Sequence, residues 1–129
     1  GVMDRLVQLG FRNVMGANAG FSADNPRYKN KRAEMWDTMK TWLEEGGDIP
    51  DDPVLISELS SVQYKYDPTD RMILEKKEDM KKRGLSSPDI ADAISLSFFM
   101  PVQQNDWDES ESGYYKYEGP KFVDPATGY

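Results

Sequence analysis

The stretch Ser87-Pro88-Asp89-Ile90-Ala91-Asp92-Ala93 decides how this chain is read. Ser87 carries a hydroxyl suited to capping a helix, and Pro88 fits the first helical position, where its missing N–H costs nothing. The segment therefore opens a helix. The apolar run Ile94-Ser95-Leu96-Ser97-Phe98-Phe99-Met100 continues it, and Pro101 stops it. Residues three apart share a helix face, so Asp89 and Asp92 point the same way. Carboxylates at a helix start are stabilised by the dipole. Such a pair can also hold a hard divalent cation through oxygen ligands.

Working outward from this stretch, Lys77 to Arg83 reads as a helix closed by Gly84. Before it, Val62, Tyr64 and Tyr66 alternate with polar residues, which predicts a half-buried strand. Asp67-Pro68-Thr69-Asp70 is turn chemistry, and Arg71 to Glu75 returns as a second strand. Asp52-Pro53 opens a short buried helix bearing Val54, Leu55, Ile56 and Leu59. The clearest amphipathic helix spans 30–45. Ala33, Trp36, Met39 and Leu43 form its stripe, Met35 and Trp42 lie beside it, and Gly46-Gly47 ends it. Residues 16–28 read as a loop. At the start, Val2, Leu6 and Leu9 follow helical spacing up to Gly10, and Phe11-Arg12-Asn13-Val14-Met15 reads as a short strand. The order α-β-α-α-β-β-α-α predicts a mixed α/β fold. From Val102 onward the pattern disappears. Trp107, Tyr114, Tyr115, Tyr117, Phe122 and Tyr129 are scattered among acids, Gly and Pro, which predicts an extended tail.

Composition narrows the chemistry further. A length of 129 residues suggests one domain with a modest core. Leu, Ile, Val and Phe make up only about 19% of the chain, at the edge of the disordered range. Aromatics at 12% and seven Met offset this, so a folded part plus a loose part is expected. There is no His and no Cys. That excludes a Ser-His-Asp triad, a cysteine nucleophile and a Cys/His zinc site within this chain. Carboxylates, lysines and hard metals remain. The absence of Cys fits a cytoplasmic protein, no apolar run reaches membrane-spanning length, and no signal-peptide pattern is present. A chain beginning with Gly is expected to be a fragment or a processed product. The net charge of −7 argues against a uniformly basic DNA-binding domain. Two local basic clusters stand out even so. Arg27, Lys29, Lys31 and Arg32 have no acid among them, and Lys76, Lys77, Lys81, Lys82 and Arg83 outweigh Glu78 and Asp79. Either cluster can meet phosphates or form a solvated helix face.

Several of these segments, in this order and spacing, resemble phage terminase large subunits. Asn30-Lys31-Arg32-Ala33-Glu34-Met35-Trp36 is similar to that family's KRAEMW segment. So is Leu43-Glu44-Glu45-Gly46-Gly47 with Ile49-Pro50-Asp51-Asp52-Pro53. Residues 74–84 resemble its strand-to-helix segment, Ser87 to Ala93 its final acidic motif, and Gly1-Val2-Met3-Asp4-Arg5-Leu6 a Gly-rich helix start. The resemblance covers about residues 1–100.

The resemblance implies the C-terminal portion of an RNase H-like nuclease domain over residues 1–100, a mixed sheet flanked by helices, with an acidic aromatic tail over 101–129. It implies an endonuclease that cuts concatemeric viral DNA during genome packaging, beside a separate ATPase domain. Its cofactor is Mg²⁺ or Mn²⁺, because two-metal phosphodiester hydrolysis needs bridging carboxylates around cations about 3.5–4 Å apart. Asp89 is then the expected ligand. Asp92 is its neighbour, with direct ligation, ligation through water and tuning of Asp89 all open. Two further acids are expected on strands preceding Gly1, so the isolated chain is expected to cut DNA poorly. The implied partners are double-stranded DNA, the portal and the small terminase subunit, with no membrane, in the cytoplasm of a bacterial host. Arg27, Lys29, Lys31, Arg32, Lys76, Lys77, Lys81, Lys82 and Arg83 are the candidate DNA contacts. A sheet lacking its first strands exposes an edge, through which copies can associate. The alternatives are a non-catalytic module that docks on packaging partners and an acidic domain with no nucleic-acid role.

Overall fold

A computed structural model of the chain describes residues 1–101. They fall in two compact units, Gly1–Gly16 and Ala17–Pro101. The expected extended tail lies outside the described residues. In the first unit, α1 runs Val2–Gln8 and ends at Gly10, whose φ of +94° suits a residue without a Cβ. The strand expected over 11–15 does not form. A strand needs a neighbour for its N–H and C=O groups, and among the described residues nothing pairs with this segment.

The second unit holds the core. Its longest helix, α2 (Lys31–Glu44), starts where Asn30 Oδ1 accepts from the Ala33 N–H at 3.0 Å. It stops at Gly46, with φ +102°. The next helix, α3 (Pro53–Ser61), is capped by Asp52 Oδ1, which accepts from the Val54 N–H at 2.9 Å. Both caps follow the local rule that a short polar side chain satisfies a first-turn donor. Of the predicted stripe of α2, Ala33, Trp36 and Met39 are buried and Leu43 partly so, and Met35 beside it is buried as well. Trp36 and Met39 meet Leu55 of α3 and Ala91, with Leu43, Leu59, Val62, Leu74, Ile94 and Phe98 packed around them. Each large side chain removed from water contributes about 1.5–3 kcal/mol. The helix α3 is less buried than its sequence suggests. Leu55 turns inward while Val54 and Ile56 face out, because a helix on a small core buries one stripe only.

The hairpin forms as read. β1 (Tyr64–Tyr66) pairs antiparallel with β2 (Met72–Leu74), Tyr64 opposite Leu74 and Tyr66 opposite Met72. Asp67 makes the turn by accepting the N–H groups of Thr69 and Arg71. Those bonds, the Arg71 N–H foremost, hold its carboxyl well below the usual carboxylate range. The far side of β2 is joined in parallel by Arg27-Tyr28-Lys29. The Met72 N–H donates to Arg27 O and the Lys29 N–H to Met72 O, both at 2.9 Å. The sheet thus has two strands, with β1 at its edge and this single parallel bridge on the far side of β2. This edge position explains one departure from expectation. Tyr64 and Tyr66 are both exposed rather than half-buried: they share a face with Leu74 and Met72, which pack inward, but stand at its outer margin.

After the hairpin come α4 (Lys77–Lys82), whose Met80 is fully buried, and Gly84 with φ +80°. Finally α5 (Asp89–Ser95) tightens into a 3₁₀ turn over Leu96–Phe98, shorter than the regular helix expected to Met100. Phe98 there packs against Trp42, ring centroids 5.6 Å apart. Gly47 lies directly under that indole: a Cβ on it would fall 2.3 Å from Trp42 Cδ2.

Candidate functional site

Asp89 and Asp92 sit on the first turns of α5, as read from the sequence. The cap differs. Pro88, not Ser87, occupies the cap position, and the Ser87 hydroxyl instead donates to Asp89 Oδ1 at 2.6 Å. Donation to an ionised carboxylate makes this a charge-assisted hydrogen bond, the stronger kind. Asp89 is largely exposed, with 76% of its side chain accessible, whereas Asp92 retains 21%.

The two carboxylates converge on one cation. The Lys77 ammonium, arriving from the first residue of α4, lies 2.8 Å from Asp92 Oδ2 and 3.7 Å from Asp89 Oδ1. The hydrogen bond to Asp92 outweighs partial burial and raises the Lys77 pKa above its ordinary value. The Ser87 hydroxyl, followed by the Lys77 charge, holds the Asp89 carboxyl below its ordinary value. The other oxygen of Asp92 faces α2. Its Oδ1 accepts from Trp36 Nε1–H at 3.0 Å and lies 3.5 Å from Arg32 Nε. Arg32 is tied down in turn: Nη1 donates to Glu75 O at 2.9 Å, and the guanidinium stands 5.7 Å from the Trp36 ring centroid. Its buried Nη2 has no partner among the described residues. Arg32, Lys77, Asp89, Asp92, Ser95 and Leu96 line a cleft of about 360 Å³.

The donor set is right in kind for a hard cation, since carboxylate oxygens suit Mg²⁺ or Mn²⁺. It is short in number. Among the described residues no three acids converge on a metal position.

The nine candidate DNA contacts divide by partner. Lys31 is buried and paired with Asp24 at 2.6 Å and Glu34 at 2.9 Å, acids that flank its basic cluster rather than lie within it. Arg32 and Lys77 belong to the carboxylate cluster. Lys82 pairs with Asp79 at 3.0 Å, and Arg83 with Glu75 at 2.6 Å. Arg27, Lys29, Lys76 and Lys81 are exposed and make no ion pair among the described residues. Sequence reasoning missed Trp36 and Lys77 as partners of the acids. Trp36 stands in an apolar stripe, which signals core alone, and its N–H finds Asp92 only once α5 lies across α2.

Solved structures share this arrangement of elements. The nuclease domain of the large terminase subunit gp2 of bacterial virus Sf6 matches with a TM-score of 0.51 and 20% identity, over 78% of this chain and 60% of that one. A mutant of that domain with manganese gives 0.53 and 19%, over 78% and 61%. A mutant with calcium gives 0.50 and 20%, over 77% and 60%. The fold is that of a large-terminase nuclease domain. No protein-family model matches the sequence, and no curated protein matches it. The chain spans about three fifths of the length of the terminase nuclease domains it matches. No described helix is long and apolar enough to cross a membrane.

Proposed function

We propose that this chain supplies part of a phage or prophage large terminase subunit, a metal-dependent endonuclease that cuts concatemeric DNA during genome packaging. The observation that carries this reading is the convergence of Asp89 and Asp92 on the Lys77 ammonium. The terminase nuclease fold around them supports it. Residues 1–100 are the nuclease portion and 101–129 an acidic tail. Asp89 and Asp92 would hold Mg²⁺ or Mn²⁺, which when bound supplies charge stabilisation at the scissile phosphate. Trp36 and Arg32 orient Asp92, while Lys77 balances the two carboxylates. Double-stranded DNA is the substrate, approached by the exposed cations Arg27, Lys29, Lys76 and Lys81. The portal and the small terminase subunit are partners, in the cytoplasm of the bacterial host. The open edge of β1 is the place for self-association.

Because only two acids converge among the described residues, this chain alone is expected to cut DNA poorly. Incubation with plasmid DNA and Mn²⁺ tests this. Robust cleavage abolished by Asp89→Ala would show that the site is complete within this chain. The same shortage of acids favours a second reading, a non-catalytic module that docks on packaging partners. Deleting residues 102–129 should then weaken binding to the portal or small subunit, and unchanged binding counts against it.

A further inference from the structure

The helix carrying the two carboxylates starts without a cap of its own. Pro88, at the cap position, offers no side-chain acceptor, and the Ser87 hydroxyl is already turned toward Asp89. The Asp89 N–H reaches Ser87 O at 2.9 Å, and the Asp92 N–H reaches Pro88 O at 2.8 Å. The Ala91 N–H lies between them and has no such local partner. Ala91 is completely buried, so water does not serve it either. A buried donor left unpaired costs about 1–3 kcal/mol.

The partner comes from another helix. The Ala91 N–H donates to Glu58 Oε2 at 2.8 Å, 33 positions back along the chain. Glu58 lies on α3 between Leu55, which is buried, and Leu59, which packs on the same core. The face of α3 that carries it is thus pressed against α5. A carboxylate at this point also complements the positive end of the helix.

Ala91 stands between Asp89 and Asp92, so the anchor at its N–H governs the turn that spaces them. Asp92 has independent anchors in Trp36 and Lys77. Asp89 has a neighbour's hydroxyl and the same ammonium at 3.7 Å. If the turn opened, Asp89 would move and Asp92 would stay.

We infer that Glu58 is a positioning residue for the Asp89/Asp92 pair, fixing their separation through the Ala91 N–H. The inference rests on the nuclease reading only in taking the pair to hold a divalent cation. The test uses the full 129-residue chain. Amide hydrogen exchange at Ala91 and Mn²⁺-induced broadening of the α5 amide resonances are followed by NMR. Glu58→Gln keeps an acceptor and should leave both within about twofold. Glu58→Ala should speed Ala91 exchange at least tenfold and weaken Mn²⁺ binding by about five- to tenfold. Glu58→Asp keeps the charge but withdraws the acceptor by one methylene, and should weaken Mn²⁺ binding similarly. It serves as the deciding variant where Glu58→Ala does not fold. Undisturbed Ala91 exchange in Glu58→Ala, or full Mn²⁺ affinity in Glu58→Asp, overturns the inference. If Mn²⁺ binding is absent from the unaltered chain, the cation reading fails instead. Ala91 exchange and the Asp89 amide shift then decide whether Glu58 sets this turn.

Discussion

The Trp36 indole N–H donates to Asp92 Oδ1 at 3.0 Å, joining the middle of α2 to the first turn of α5 across 56 positions of chain. One side chain thus serves the core with its ring and the acidic cluster with its edge. Buried tryptophans commonly place their N–H on an acceptor in this way.

Trp36→Phe separates those roles by keeping an aromatic ring while removing the donor. A hydrogen bond to a charged group contributes about 1.5–3 kcal/mol, less where the acceptor retains some water. The expected loss is about 1–2 kcal/mol, read from urea denaturation. Trp36→Ala also opens a cavity and should cost about 3–5 kcal/mol. Equal losses for the two variants would show that the Asp92 bond contributes nothing.

Lys77 Nζ lies between the two carboxylates, so if the pair holds a divalent cation as proposed, ammonium and metal compete for them. Lys77→Met keeps an unbranched stem of similar reach and removes the charge. Mn²⁺ binding measured by calorimetry should tighten by about three- to tenfold, or about 0.7–1.4 kcal/mol. The effect is held to this size because the lysine is 44% exposed and its ion pairs are screened by water. Weaker binding in Lys77→Met would instead mean that the ammonium helps assemble the site.

Stability should be flat across mid-pH and fall at both ends. The Asp89 carboxyl is depressed in the folded chain, so its contribution is present above its unfolded value of 3.8 and disappears as pH drops through the lower folded value. The Lys77 pKa is raised, so its contribution is present below its unfolded value of 10.5 and is lost as pH climbs through the higher folded one. Tyr28 adds an alkaline signature. Burial, followed by its hydrogen bond to Asp37, pushes its phenol up to about 12. Its stabilisation is complete below its unfolded value of 10.0 and vanishes as pH passes the folded value. Tyrosinate absorbance should therefore show one late phase that Tyr28→Phe removes.

The exposed and paired cations should behave differently toward DNA. Each phosphate contact contributes about 0.9 to the slope of log affinity against log salt. Lys76→Ala with Lys81→Ala should weaken duplex binding and reduce that slope by about 1–2, leaving thermal stability unchanged. Arg83→Ala removes the bonds to Glu75 and Ser61 O, so it should lower the melting temperature. A melting temperature unaltered by Arg83→Ala would show that its ion pair is ornamental.

Local signals in the chain were enough for most elements. Asn30 and Asp52 reach first-turn N–H groups within three residues, and Gly10, Gly46 and Gly84 adopt the positive φ expected of helix ends. The strand over 11–15 does not form because a short local stretch specifies no pairing partner. Tyr64 and Tyr66 alternate correctly yet remain exposed, because they stand at the outer margin of their face.

By itself the sequence excluded a site built on His or Cys within this chain, since it holds neither. It also set Asp89 and Asp92 on one helical turn, because a spacing of three is a local fact of the α-helix. Only the tertiary structure decided what meets them. Trp36, Arg32, Lys77 and Glu58 come from α2, α3 and α4, at sequence separations no helical period can encode. Their approach follows from packing those helices on one core, and that packing turns two adjacent acids into an oriented pair.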